Sequence, residues 1–234
     1  MLPKITHPLF DINVPSLDEK KKFRPFLVKE EKILLMAGES QNEGDVLQAL
    51  LQIITNCCQE ELDVTKLAIF DIEYVFLKLR ARSVDNMVEL VYEDMEDEEE
   101  RKFLINLDDI ELSYDEKHSK IIDITKNIKM KMKYPTSKLT AAVESAKTEL
   151  EFLDELLVEC VECVYDEESG EMFDTFTKEE IKEFLDNLDS KSHAKIKDFF
   201  ETMPKLYHKI EYTNSKGTKR EIELKTVTDF FTLV

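Results

Sequence analysis

The chain has 234 residues, 42% hydrophobic and 35% charged, with four Gly, six Pro and no Trp. That is enough apolar side chain for one large or two small packed domains, with few helix breakers. A formal net charge of −19 argues against an autonomous binder of DNA or RNA backbone, whose footprint is basic, and against docking on anionic lipid.

Residues 1–22 read as an extended arm. Pro3, Pro8 and Pro15 break helix, and Phe10 to Val14 alternates like a short strand. Val28 to Glu39 predicts a helix, with apolar Val28, Ile33, Leu34, Leu35 and Met36 and with Gly38 near its end. Asp45 to Cys58 predicts a second helix with a broad apolar face. Phe70 to Ala81 predicts a third, with Ile72, Val75, Phe76 and Leu79 at helical spacing.

The period then changes. Met87 to Tyr92 reads as a strand and Lys102 to Leu107 as its return. Between them, seven of the eight residues from Glu93 to Glu100 are acidic, as in a solvated hairpin tip. Ile121 to Thr125 and Ile128 to Tyr134 predict two more strands. In the second, Ile128, Met130, Met132 and Tyr134 alternate with three lysines.

Thr140 to Tyr165 predicts a helix with Leu150, Leu153, Leu157, Val161 and Val164 as its apolar stripe. Thr177 with Glu180 three residues on is a capping box, followed by Ile181, Phe184, Leu185 and Leu188. Ala194 to Thr202 predicts another helix, stopped by Pro204. Leu206 to Thr213 and Arg220 to Leu224 predict a closing hairpin around Asn214-Ser215-Lys216-Gly217.

Two internal echoes stand out. Lys102-x-x-Ile105-x-Leu107-x-x-Ile110 returns as Lys219-x-x-Ile222-x-Leu224-x-x-Val227, and Phe26-x-x-Lys29-Glu30-Glu31 resembles Phe176-x-Lys178-Glu179-Glu180. Chance likeness of amphipathic elements and a diverged internal duplication both account for them. The predicted fold class is α+β, with helical bundles alternating with small antiparallel β-hairpins. The predicted organisation is an arm at 1–22, a helical region at 23–84, an antiparallel β region at 85–135, a second helical region at 136–204, and a C-terminal hairpin and tail at 205–234.

No constellation predicts catalysis. The four cysteines, Cys57, Cys58, Cys160 and Cys163, do not form a secreted disulfide framework. One CxxC supplies two of the four ligands of a tetrahedral zinc site, so Cys160 and Cys163 read as structural, side by side on a helix. Asp166 to Thr177 misses the calcium-loop register: Gly170 is fifth and Thr177 stands at the twelfth position. The histidines are scattered, and no phosphate loop, nucleophile elbow or HExxH occurs. No catalytic, cofactor or metal residue is therefore predicted. Without a signal-peptide layout or a long apolar run, the expected setting is reducing cytoplasm.

Phe23-Arg24-Pro25-Phe26, just ahead of the first helix, has two readings: a packed hydrophobic staple, or an anchor for a partner, since aromatics and Arg dominate binding hot spots. The candidate partner-binding residues are Phe23, Arg24, Phe26 and Lys29 there, with Arg80 and Arg82 on the third helix.

The words Phe10-Asp11-Ile12-Asn13-Val14-Pro15-Ser16, the run from Lys22 to Ala37 and the run from Phe70 to Ser83 resemble the baseplate hub and hub-assembly proteins of T4-like tailed phages. So do Met130 to Pro135 and Met203 to Thr213. The resemblance runs nearly end to end. Many members of that family carry CxxC or CxxCG pairs in two hairpins, as zinc ribbons do; this chain has Glu93 to Glu100 and Asn214 to Gly217 there, so both hairpins are expected to hold by strand pairing and packing alone. The resemblance implies a non-enzymatic role in building the baseplate hub. It implies other hub and tail proteins as partners, with a second copy of the chain left open, and no nucleic acid or membrane. It places the chain in host cytoplasm during assembly and leaves open whether it stays in the virion tail baseplate. The rival readings are a transient assembly chaperone, an acidic mimic of nucleic acid, and an enzyme.

Overall fold

The N-terminal segment turns back on itself. β1 (Phe10–Val14) pairs antiparallel with β2 (Glu19–Phe23), with Phe10 opposite Phe23. The turn between them is closed by Leu17 N donating to Val14 O, with Asp18 at φ +52°, a left-handed conformation that Asp tolerates. The sequence predicts β1 but not β2, whose Glu19-Lys20-Lys21-Lys22-Phe23 has no apolar alternation. Pairing and the burial of Phe23, 0% exposed, make the strand.

The computed structural model describes residues 5–40, 43–139 and 148–230. The chain forms two units, one of residues up to Ser113 and from Lys205 onward, the other from Tyr114 to Pro204. In the first unit the hairpin is followed by α1 (Val28–Ser40), α2 (Glu43–Cys57) and α3 (Ile69–Ser83). In α2 the buried side is Ala49, Leu50, Leu51, Ile53, Ile54 and Cys57. α3 is buried on more than one face, since Phe70, Ile72, Val75, Phe76, Leu77 and Leu79 are all at most 4% exposed.

Two hairpins complete this unit. β3 (Met87–Asp94) pairs with β4 (Glu99–Asn106) from Met87↔Asn106 to Asp94↔Glu99. β5 (Glu111–Ser113) then pairs with β10 (Lys205–Thr213), which pairs with β11 (Lys219–Leu224). A short α7 (Val227–Phe230) follows and buries Val227 and Phe230. Lys78 of α3 holds the β4–β5 connection: its Nζ donates to the carbonyls of Leu107, Asp108 and Ile110 at 3.3, 2.7 and 2.6 Å.

Among the described residues the second unit is a four-stranded antiparallel sheet with three helices. β6 (Ile121–Asp123), β7 (Ile128–Met132), β8 (Val161–Asp166) and β9 (Glu171–Phe173) lie in that spatial order. The helices are α4 (Glu149–Cys160), α5 (Lys178–Asp186) and α6 (Ser190–Thr202). The alternation read in β7 is real: Met130 and Met132 are 0% exposed, while Lys129 and Lys131 pair with Glu167 and Glu162, each at 2.6 Å. The core of this unit joins Met130, Met132, Val164, Ile181, Ile196 and Phe199.

The predicted helix over 140–165 is corrected at its end. Its first eight residues, 140–147, lie outside the described residues. α4 stops at Cys160, and Val161 begins a strand that pairs along β7. β-branched Val161 and Val164 with Tyr165 suit a half-buried strand, and the ladder overrides the helical spacing. Cys163 therefore sits on β8 rather than beside Cys160 on a helix. No helix among the described residues is long and apolar enough to cross a membrane.

Glu73 of α3 accepts the Val227 N–H of α7 at 3.1 Å. Burial pushes its carboxyl up from the ordinary 4.5 to about 7, with Asp229 adding repulsion. A raised carboxyl means that the folded state holds the proton more tightly than the unfolded state. Stability from this site is therefore greatest below pH 4.5 and falls as pH rises to about 7. Glu73→Gln keeps an acceptor for Val227 and removes the charge. Denaturant unfolding is expected to find the variant more stable at pH 8 by about 2 kcal/mol, with the difference vanishing near pH 4.

Candidate functional site

The start of α1 is built around a buried carboxylate. Glu30, 0% exposed, sits three residues after Leu27 and accepts its N–H at 2.9 Å, satisfying a donor that the helix leaves open. Arg24 faces it with both guanidinium nitrogens, Nη2 to Oε1 at 2.9 Å and Nη1 to Oε2 at 3.3 Å. Arg24 also donates to the carbonyls of Pro25 and Asn56 at 2.9 and 3.0 Å. Burial alone would raise the Glu30 carboxyl; the bonds from Arg24 and Leu27 outweigh it and hold the group below its ordinary value.

The two aromatics of this segment face inward. Phe23 is 0% and Phe26 6% exposed. Phe26 stacks on Phe76 of α3 with 6.4 Å between ring centroids and 3° between planes, and its N–H donates to Ser83 Oγ at 3.0 Å. Lys29 is 67% exposed and lies 3.3 Å from Glu30. Arg24 and Lys29 thus meet at the Glu30 carboxylate, while Phe23 and Phe26 are buried in the core. Arg80 and Arg82 stand apart on the last turn of α3. Arg80 donates to Asp85 O at 3.4 Å. Arg82, 57% exposed, pairs with Asp108 at 3.2 Å and lines an open cleft of about 250 Å³ with Asp11, Tyr74, Lys78 and Glu111.

The sequence misses a second cluster, which joins the tips of the two hairpins of the first unit. The acidic block is not a freely solvated tip. Asp94 and the Asp97 side chain are each 2% exposed. Tyr212 OH donates to Asp94 at 2.8 Å, Asn214 Nδ2 to Glu96 at 2.6 Å, and Ser215 N to Asp97 at 2.8 Å. Arg220 reaches Glu96 at 3.0 Å, and Lys216 donates to the Glu96 carbonyl. Arg101 grips Asp97 with both terminal nitrogens and lies over the Tyr212 ring, 5.3 Å from its centroid. Tyr212 packs against Phe103 at 5.3 Å and Tyr92 at 6.3 Å.

The hairpins are therefore held by more than strand pairing and packing. The charges carry the consequence: the Arg101 guanidinium, aided by Ser215, holds the Asp97 carboxyl well below the usual range, and burial beside Asp94 pushes the Tyr212 hydroxyl up to about 12. Three of these bonds join residues 118 apart, so the tips meet at matching positions, near the offset of the Lys102/Lys219 echo. That echo, with acid in one loop and Lys216, Lys219 and Arg220 in and after the other, is the signal that could have found the contact.

The thiols are poor ligands and nucleophiles as placed. Burial pushes Cys57 and Cys160 up to about 12, which keeps them neutral. All four cysteines are free, and the described residues contain no group of three or more His, Cys, Asp or Glu placed to hold a metal ion. What these clusters do chemically is join elements through paired charges and backbone donors.

A model of the family described as T4 bacteriophage base plate protein matches residues 7–232. No curated protein and no solved structure matches the chain.

Two variants test the two clusters. Phe26→Ala removes a buried ring, and equilibrium unfolding is expected to find it less stable by about 3–5 kcal/mol. Asp97→Asn removes the charge that Arg101 and Ser215 hold. A depressed carboxyl stabilises above its unfolded value of 3.8 and stops doing so as pH falls through its lower folded value. Thermal melts are expected to place this variant a few degrees below wild type at pH 7, with the gap closing in acid.

Proposed function

This chain belongs to the T4 bacteriophage base plate protein family, and from that premise we propose that it is a non-enzymatic component of the baseplate hub, or a factor that helps the hub assemble. It acts through contacts with other baseplate hub and tail proteins, in host cytoplasm during assembly. The observation that carries the reading is the family match from residue 7 to 232. The two clusters support it, because their paired charges, buried carboxylates and neutral thiols do structural work.

Within that reading the contact surface includes Lys29, Arg80 and Arg82, exposed or half-buried beside the first helix and on the third. Phe23, Arg24 and Phe26 serve it from beneath by setting where α1 begins. Between a resident component and a transient chaperone, the charge favours the assembly role: obligate interfaces are more apolar than a chain of net charge −19 suggests. Quantitative mass spectrometry of purified virions and of assembly intermediates decides. Abundance in intermediates and loss from virions is the expected result. A constant copy number in virions makes the chain a resident component, and absence from both overturns the proposal.

A further inference from the structure

Among the described residues the small sheets number four, and all their edge strands but one are short, basic or packed against another element. Natural proteins guard edge strands by keeping them short, by placing charged residues on them, lysine above all, or by covering them. β5, β6 and β9 are three residues each. β2 carries Lys20, Lys21 and Lys22; β4 carries Arg101 and Lys102; β11 carries Lys219 and Arg220. β1 is packed against α3. β3 differs in that its charges, Glu89, Glu93 and the inward-facing Asp94, are all acidic, which deters an acidic strand but not a basic one. It runs eight residues, Met-Val-Glu-Leu-Val-Tyr-Glu-Asp, with no basic residue, proline or glycine, and among the described residues it pairs, in unbroken register, with β4 on one side only.

Its two faces differ. Leu90 and Asp94 are buried, at 8% and 2% exposure. On the other face Met87 and Val91, 36% and 42% exposed, alternate with Glu89 and Glu93; Leu104 of β4 lies beside them at 68%, and Lys102 of β4 pairs with Glu89 at 2.8 Å. The open backbone edge is therefore bordered by a stripe in which an apolar side chain and a carboxylate take turns.

We propose that β3 is a strand-addition site: an extended segment of another protein pairs with its free edge and places a basic side chain opposite Glu93, with a second beside the Glu89–Lys102 pair. Backbone hydrogen bonds along eight residues supply the attachment, and the alternating stripe supplies the selectivity. The charge decides the occupant. A second copy of this chain would bring its own Glu89 and Glu93 and a net charge of −19 to the same edge, whereas a strand carrying Lys or Arg on one face meets opposite charge. The inference rests on the protein-contact reading above and names the chemistry of one partner.

The test uses the full chain and a capped eight-residue peptide alternating Lys and Val, with its Glu–Val counterpart as control. Fluorescence anisotropy reads affinity, and amide hydrogen exchange reads where the peptide lies. The expected result is slowed exchange at alternate residues of 87–94 with the Lys–Val peptide alone. A Val91→Lys/Glu93→Lys variant, changed only at exposed positions, is expected to bind at least tenfold more weakly. Absence of binding, binding that leaves 87–94 unprotected, equal protection by the Glu–Val peptide, or unchanged affinity of the variant each overturns the proposal. Copy number in virions and intermediates is measured independently, so a failure here leaves the baseplate role standing.

Discussion

Polar side chains on a buried helix must find partners, and the first unit is arranged around the answer. α3 carries Asp71, Glu73 and Lys78 among its buried apolar residues. An unpaired buried polar group costs several kcal/mol, and each of these three is satisfied by the backbone of a different element. Asp71 accepts from Ala68 at the start of its own helix and from Ser16 in the β1–β2 turn, at 3.0 and 2.8 Å. Glu73 takes the N–H of Val227, and Lys78 donates to the connection after β4. No buried side-chain nitrogen or oxygen among the described residues is left without a partner. Three segments distant in sequence are thereby tied to one helix.

The same device recurs at helix starts. Glu30, Asp71 and Glu180 each sit third in a helix and accept the N–H of the residue that precedes it, at 2.9, 3.0 and 2.7 Å. A strongly acidic chain can use carboxylates there because the helix N-terminus is the positive end of its dipole. Charge that would otherwise repel is spent on capping, on the hairpin-tip cluster and on exposed pairs. The exposed pairs contribute little individually; the buried ones decide geometry, since removing one partner strands the other.

What the sequence revealed follows from range. β7 was legible because its alternation of Met and Lys is local and its buried face is continuous. The Thr177 capping box and the Asn214–Gly217 turn were legible for the same reason, with Gly217 at φ +82° as such a turn requires. β2 was not, because three lysines carry no periodicity. β8 was not, because Val161 and Val164 fit a helical stripe as well as a strand until β7 is beside them. The β5–β10 pairing was invisible, since Leu112 and Leu206 meet only in the folded chain. At the candidate site, the composition of the Phe23–Phe26 segment drew attention, but which way its rings point depends on Phe76, some fifty residues on.

The acidic block separates composition from structure most sharply. Seven carboxylates in eight residues have the composition of a solvated tip, and an isolated hairpin would leave them so. Here the facing hairpin offers a backbone N–H, an amide, three hydroxyls, a lysine and an arginine, and Asp94 and Asp97 become buried anchors. Their burial uses the inward side of the β3–β4 ribbon and leaves the outward side of β3 with its backbone edge and its Met–Glu alternation uncovered. A ribbon clamped at its tip and tied by Lys78 near its base is held for pairing before any partner arrives. That lowers the ordering cost of adding a strand, and it fits an edge whose charges are all acidic to a basic strand.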